Sequence, residues 1–326
     1  MEPAVGSDAI TVKTLGYPIV LMKGGNMLEA LLGSQGKSIG AGEARVETTL
    51  PFVIANAAVG VYQTDLYIFG GVISGVKQNV MRRYDTVQRT IQTLGSGLPP
   101  GIDYCVGCCV DTAFYVFGGQ ISSGATNTLY RYDVLLNTWV QLANAPSVLF
   151  GTSMLHHNGF LYVPGVSSDG NTGFILRYSI AANTWTTLSA PVAFRLAYSR
   201  TAILDGVLYI VGGYNYGTGG RPGDFWRYDI AANSWLRLPY LLEKISDALV
   251  VAYQGTVYVQ GGFNGVTRVN AFQYYNVSTG SWTLGTPFGA VANAGQCALV
   301  GSDFFTFGGA EDDNSGRTAK VYKQPL

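Results

Sequence analysis

Short apolar runs that end in glycine recur along this chain. One is Leu66-Tyr67-Ile68-Phe69 before Gly70-Gly71, and another is Leu161-Tyr162-Val163. After a loop, polar and apolar residues alternate over 176–180, as they do on a half-buried strand. Residues 181–183 leave room only for a tight turn before Trp185 begins the next run. The pattern predicts many short β-strands joined by hairpins.

The apolar runs form six repeats. Their first glycines are separated by 48, 47, 47, 49 and 47 residues, at Gly70, Gly118, Gly165, Gly212, Gly261 and Gly308. A tyrosine follows each glycine by 13 to 16 residues, at Tyr84, Tyr132, Tyr178, Tyr228, Tyr275 and Tyr322. A tryptophan lies seven residues after four of these tyrosines, at Trp139, Trp185, Trp235 and Trp282. Three markers in fixed phase indicate a repeat architecture.

These markers resemble the kelch repeat, and the resemblance covers roughly residues 43–326. It implies one four-stranded antiparallel blade per repeat, with strands a to d running from the axis to the rim. The expected fold is therefore all-β, a six-bladed kelch-type β-propeller. In such a fold the glycines permit close backbone approach and the aromatic rings pack between blades.

The sixth repeat lacks its last strand, because Tyr322 is followed by only four residues. An incomplete blade would leave an open strand edge at the seam of the ring. Pro51, Pro99 and Pro146 each precede a first glycine by 19 residues, which places residues 43–50 at a strand-d position. We therefore expect residues 43–50 to pair with the strand around Lys320–Lys323 and close the ring.

Residues 1–42 lie outside the repeat. They read as one or two short strands (Ile10–Lys13, Tyr17–Leu21), at most two helical turns (Met27–Leu32) and a glycine-rich linker (Gly33–Gly42). Two interpretations stay open. The segment packs on the propeller rim, or it is a docking arm that becomes ordered on a partner or on a second copy of the chain.

Composition narrows the function classes. The net charge is zero with a pI near 6.7, and basic runs are lacking, which argues against nucleic-acid binding. Mean hydropathy is +0.19, yet no apolar stretch approaches the roughly 18 residues that a membrane span needs. The start Met1-Glu2-Pro3 is unlike a secretory signal.

The metal-ligating residue types are few. Cys105, Cys108 and Cys109 lie on one predicted strand, with Cys297 far along the chain. The two histidines, His156 and His157, are adjacent, so their side chains point to opposite faces of a strand. Neither set has the spacing of a zinc site, so we expect no metal and no cofactor.

Enzymatic activity is not expected from the sequence. Copper oxidases of the kelch fold need several His and Tyr ligands around the axis, and no motif of the sialic-acid mutarotases can be matched. Ser167-Ser168-Asp169-Gly170 differs in spacing from the sialidase box. No nucleophile, base and orienting residue can be assembled, so no catalytic residue is assigned.

Recognition on the loops is the favoured interpretation. In a kelch blade the b–c and d–a loops open on the same face, and function concentrates on loops over a rigid frame. The longest b–c loop is residues 214–224, where Tyr214, Tyr216, Arg221 and Asp224 combine aromatic and charged groups that suit binding hot spots. Arg195 lies in a d–a loop of that face.

An acidic b–c loop follows the last glycine pair. Glu311, Asp312 and Asp313 would contact a cation or a basic partner, or would form only a solvated turn.

Three function classes remain. The favoured one is a bacteriophage virion or tail component, an adhesin or decoration protein with an N-terminal docking arm, made in the cytoplasm and located in the virion. Its partner would be a protein or a cell-surface glycan, and it could form a homo-oligomer. The alternative is an intracellular kelch adaptor that binds a partner protein. The minority alternative is a sugar-modifying enzyme such as a sialic-acid mutarotase.

Overall fold

The computed structural model describes residues 10–14, 17–21, 45–149, 152–287, 291–293, 295–311 and 318–326. The chain divides into a short unit, Met1–Gly40, and a large unit, Ala41–Leu326. In the short unit, β1 (Ile10–Thr14) and β2 (Tyr17–Leu21) form an antiparallel hairpin with Ile10 opposite Leu21. The helical turns and the glycine-rich linker predicted within 27–42 lie outside the described residues.

The large unit is built from six antiparallel sheets, each with four main strands in the order a–b–c–d. The first sheet has β4 (Ala55–Tyr62), β5 (Asp65–Ile73), β7 (Val80–Asp85) and β8 (Thr90–Ser96), after β3 (Arg45–Thr49) and with the short β6 (Val76–Lys77) paired to β5. The second has β9 (Val106–Val110), β10 (Ala113–Phe117), β13 (Leu129–Asp133) and β14 (Thr138–Gln141), with β11 (Gln120–Ile121) and β12 (Gly124–Ala125) as a separate hairpin. The third has β15 (Leu155–His157), β16 (Phe160–Val166), β17 (Gly173–Ser179) and β18 (Thr184–Ser189).

The last three sheets follow the same plan. The fourth has β20 (Arg200–Leu204), β21 (Val207–Val211), β23 (Phe225–Asp229) and β24 (Ser234–Arg237), with β19 (Leu196–Ala197) paired to β22 (Tyr214–Asn215). The fifth has β25 (Leu249–Tyr253), β26 (Thr256–Gln260), β27 (Phe272–Asn276) and β28 (Ser281–Gly285). The sixth has β30 (Gln296–Val300), β31 (Asp303–Phe307) and β33 (Lys320–Pro325), and β29 (Val291–Asn293) pairs with β32 (Ala310–Glu311). The predicted all-β fold with six blades is confirmed.

The outermost strand of the sixth sheet is β3, which comes from the N-terminal side of the repeats. β3 pairs antiparallel with β33, with Arg45 opposite Lys323 and Thr49 opposite Lys320. The backbone N–H of Leu50 extends this contact by donating to the carbonyl of Ala319 at 2.8 Å. Whether the ring needs this strand in order to fold stays a prediction.

The tryptophans and glycines that mark the repeats lie at the contacts between neighbouring blades. Phe69 of the first blade lies 4.6 Å from Trp139 of the second, centroid to centroid, and Phe225 of the fourth lies 4.9 Å from Trp282 of the fifth. Such tilted aromatic pairs contribute beyond their buried area. Gly70 has a φ of +72°, and a Cβ there would lie 2.7 Å from the carbonyl oxygen of Ile102 in the next blade. Glycine is therefore required at this position for two reasons: the backbone is left-handed, and the next blade approaches too closely to admit a Cβ.

The c–d turns of the second and third blades are hydrogen-bonded to the blade before them. The Tyr132 hydroxyl donates to Oδ1 of Asn137 at 2.6 Å, and Nδ2 of Asn137 donates to the carbonyl of Leu94 in the preceding blade at 3.2 Å. Two further blades repeat the Tyr–Asn bond, at 2.8 Å for Tyr178–Asn183 and 2.7 Å for Tyr228–Asn233. Each of these asparagines has a positive φ, which Asn tolerates better than most residues.

Candidate functional site

The d–a and b–c loops of the fourth blade form one continuous surface. β19 in the d–a loop pairs with β22 in the b–c loop, with Leu196 opposite Asn215 and Ala197 opposite Tyr214. The backbone N–H of Tyr216 donates to the carbonyl of Arg195 at 3.1 Å. Backbone hydrogen bonds of this kind hold the 214–224 loop in a defined conformation on its blade.

Tyr214, Tyr216 and Arg221 are brought together by this loop. The two tyrosine rings meet edge to face with centroids 5.2 Å apart. The Arg221 guanidinium lies 5.3 Å from the Tyr214 ring and 4.7 Å from the ring of Phe263 in the fifth blade. Its Nε donates to Oγ of Ser246 at 2.8 Å. Tyr216 is 48% exposed, so an aromatic surface lies beside a fixed guanidinium.

Asp224 has a different place from the one the sequence suggested. Its side chain is fully buried, and its carboxylate accepts hydrogen bonds from Nδ2 of Asn215 at 2.8 Å and from Arg237. Asn215 in turn accepts the backbone N–H of Gly217 at 2.8 Å through Oδ1. Through these hydrogen bonds Asp224 anchors the loop. Because its carboxylate is buried and already bonded to two donors, it is not accessible to a partner.

Arg195 is half-buried under the same loop. Its Nε is buried and has no hydrogen-bond partner among the described residues. Of the acidic loop, Glu311 lies in β32 opposite Val291 of β29. The side chain of Glu311, and Asp312 and Asp313 altogether, lie outside what the structure describes.

An axial pocket of about 360 Å³ is the feature that sequence reasoning missed. The first strand of every blade contributes to its wall, including residues 59–61, 106–109 and 201–203. A volume of this size is at the lower end of the range for small-molecule sites. Its wall is made mainly of small and apolar residues, so the polar groups near it stand out.

Among the described residues that line the pocket, Arg200 is the one with a charged side chain. It donates to the carbonyl of Thr152 at 3.2 Å and forms an ion pair with Asp247 at 3.2 Å, so it links the third, fourth and fifth blades. Burial raises the pKa of the Asp247 carboxyl, while Arg200 and Arg221 act to lower it. A carboxyl with a raised pKa can carry a proton closer to neutral pH than an ordinary aspartate.

A left-handed backbone conformation recurs at one position near the start of the first strand in four blades. Asn56, Tyr104, Tyr198 and Asp247 all have φ between +53° and +57°, and each lies 14 residues before the first glycine of its repeat. Left-handed conformations suit Asn and Asp but are unusual for tyrosine. The backbone N–H of Asp247 donates to the carbonyl of Tyr198 at 2.9 Å. Of these four residues, Asn56 and Tyr104 line the axial pocket.

The four cysteines line the pocket as unpaired thiols. Burial raises the pKa of Cys105 and Cys108 to about 12 and that of Cys297 to about 11. Thiols held protonated in this way are poor nucleophiles and poor metal ligands. Within the described residues, no group of three or more His, Cys, Asp or Glu side chains is placed to hold a metal ion. The same residues contain no helix long and apolar enough to span a membrane.

Residues 51–272 match the model of the Attractin/LZTR1 β-propeller family. This match covers more than half of the chain. The chain belongs to this family. No curated protein matches the sequence of this propeller. Among solved structures, the propeller is similar to the one titled "Structure of YjhT", with a TM-score of 0.74 and 16% identity over 85% of this chain and 97% of that one.

The likeness to YjhT corrects one expectation. From the sequence we expected no enzymatic activity, and the likeness to the YjhT propeller contradicts that expectation. No local motif marks Arg200 and Asp247, because their guanidinium and carboxyl are 47 residues apart in the chain and meet only beside the axial pocket. At 16% identity the likeness itself shows the fold alone.

Proposed function

We propose that this chain is a kelch-type propeller that binds a partner protein through the face formed by its d–a and b–c loops. The observation that carries the proposal is the cluster of Tyr214, Tyr216 and Arg221, in which an exposed tyrosine lies beside a guanidinium fixed by two rings. Tyrosine and arginine dominate binding hot spots because they bury large areas and keep polar groups. Rigid loops lower the entropy cost of binding.

Site-specific photo-crosslinking tests this function. A benzophenone amino acid is introduced at Tyr216 and, as a matched control, at Leu136, which is 71% exposed in a c–d turn on the opposite face. We expect the residue-216 variant, but not the residue-136 variant, to form an adduct with a discrete protein in extracts of the native host. Identical adducts from both positions, or adducts from position 136 alone, would contradict the proposal.

The intracellular adaptor fits this proposal better than the virion component. Attachment to a virion, by way of residues 1–42, stays a prediction. It requires that the chain be found in purified particles and lost from them when those residues are removed.

A second candidate is acid–base chemistry on a sugar in the axial pocket. The supporting observation is the Asp247 carboxyl, with its raised pKa and its ion pair to Arg200 at the pocket. Exchange NMR on the anomeric protons of N-acetylneuraminic acid tests it. Faster anomer exchange with the wild-type protein than with Asp247→Asn supports the activity, and equal exchange refutes it.

A further inference from the structure

We propose that Arg221 is a preorganised receptor for a carboxylate, and that the partner presents an acidic segment to the surface around it. This surface comprises the loops 190–199, 212–224, 239–247 and 261–270. The inference rests on the proposed partner-binding function and adds the chemistry of the partner.

The geometry of Arg221 carries the inference. The rings of Tyr214 and Phe263 and the hydroxyl of Ser246 fix the guanidinium, and they use only its Nε for hydrogen bonding. Its two terminal nitrogens have no hydrogen-bond partner among the described residues. Asp247 is near enough to influence Arg221 electrostatically, but its carboxylate is bonded to Arg200. A fixed guanidinium with free terminal donors matches the two oxygens of a carboxylate.

The charges around Arg221 favour the same partner. Arg195 and Lys244 lie in neighbouring d–a loops, and the described residues provide no carboxylate partner for either. Asp224 is neutralised by Arg237. Glu243 is exposed beside Lys244, and Asp169 lies in the third-blade loop that contacts Tyr216 through Gly170. The four loops together contain four cationic residues (Arg195, Arg221, Lys244 and Arg268) and three acidic ones (Asp224, Glu243 and Asp247). Two of the acids are paired with arginines from outside the loops, so the surface carries a surplus of positive charge.

Apolar groups complete the surface. Val192, Tyr216, Tyr240, Leu242 and Val266 are each about half exposed or more and lie in the same four loops. Apolar positions between cations suit a peptide segment in which acidic residues alternate with a few aliphatic or aromatic ones.

A selection experiment tests the proposal without knowledge of the natural partner. A displayed library of random 12-residue peptides is selected on the full chain, on Arg221→Lys, and on the matched control Arg131→Lys, whose side chain lies on β13 away from the loops. Lysine keeps the charge but lacks the planar pair of donors. We expect Asp and Glu to be enriched with the wild type and the control but not with Arg221→Lys.

Affinities then give the decisive numbers. A selected peptide should bind Arg221→Lys about tenfold more weakly, since hydrogen bonds to charged groups contribute about that factor or more. It should also lose affinity when its acids become Gln or when salt is raised. Equal affinity for the Gln peptide, purely apolar selected peptides, or no selected peptide at all overturns the inference. If position 216 crosslinks specifically but the peptide binds Arg221→Lys as tightly as the wild type, the acidic-segment inference is refuted. The proposed partner-binding function is then still supported.

Discussion

The seam of the ring contains a buried carboxylate that pairs with an arginine of the first blade. Glu47 in β3 is almost fully buried; its carboxylate accepts a hydrogen bond from Nε of Arg45 at 3.1 Å and forms an ion pair with Nε of Arg89 at 2.8 Å. Arg89 occupies the c–d turn position that holds asparagine in the next three blades, five residues after the marker tyrosine. The hydroxyl of Tyr84 consequently lacks the bond that its counterparts make, and it is buried with no hydrogen-bond partner in the part of the chain that the structure describes.

Glu47→Gln removes the charge and keeps the shape. Breaking a buried ion pair costs about 3–5 kcal/mol when the remaining partner stays buried. Here the two arginine side chains are 62% and 52% exposed, so solvent compensates part of the loss. We expect a loss of about 2–3 kcal/mol, which lowers Tm by about 4–6 °C for a chain of this size.

Thermal and urea denaturation measure this loss, with Glu243→Gln as the matched control, because Glu243 is exposed. Arg89→Asn sharpens the test, since it removes one ion pair but places an asparagine five residues after Tyr84, as in the other blades. After Arg89→Asn, the Glu47→Gln change should cost clearly less. Strict additivity of the two changes, or a Glu47→Gln variant as stable as the control, would refute the role of this contact at the seam.

Three further predictions follow from the same structure. Tyr228→Phe should lower the free energy of unfolding by about 1 kcal/mol by removing a hydrogen bond, whereas Tyr84→Phe should not, because its hydroxyl has no partner; equal losses in urea titrations would contradict this. The native thiols should react with DTNB at pH 8 far more slowly than in urea, because burial holds the pKa of Cys105 and Cys108 near 12; fast native labelling would refute it. The pKa of Asp247 is raised in the folded state, so ionisation there destabilises the fold as pH rises from the unfolded pKa through the folded one. The stability of Asp247→Asn relative to the wild type should therefore increase as the pH rises above the ordinary pKa of an aspartate, and a decrease in urea titrations would reverse the sign we assign.

The blades could be predicted from the sequence because their determinants are local and repeat. A marker glycine ends strand b, and a tyrosine and a tryptophan seven residues apart pair across the c–d hairpin, as Tyr178 and Trp185 do. These residue types specify strands and turns within about 20 positions of themselves, so a regular spacing suffices to reveal them. The 214–224 loop was also recognisable, because its length and its Tyr and Arg content depart from the repeat.

Only the tertiary structure decided which side chains of that loop face solvent and which groups meet near the axis. Asp224 and Arg221 are three residues apart and both charged. Asp224 is fully buried beneath the loop, whereas the terminal nitrogens of Arg221 have no hydrogen-bond partner among the described residues. Arg200 meets Asp247, and Glu47 meets Arg89, across blade junctions. Closure of the ring brings such pairs together from positions 42 to 47 residues apart, and no local pattern encodes a contact whose partners approach only after neighbouring blades have packed.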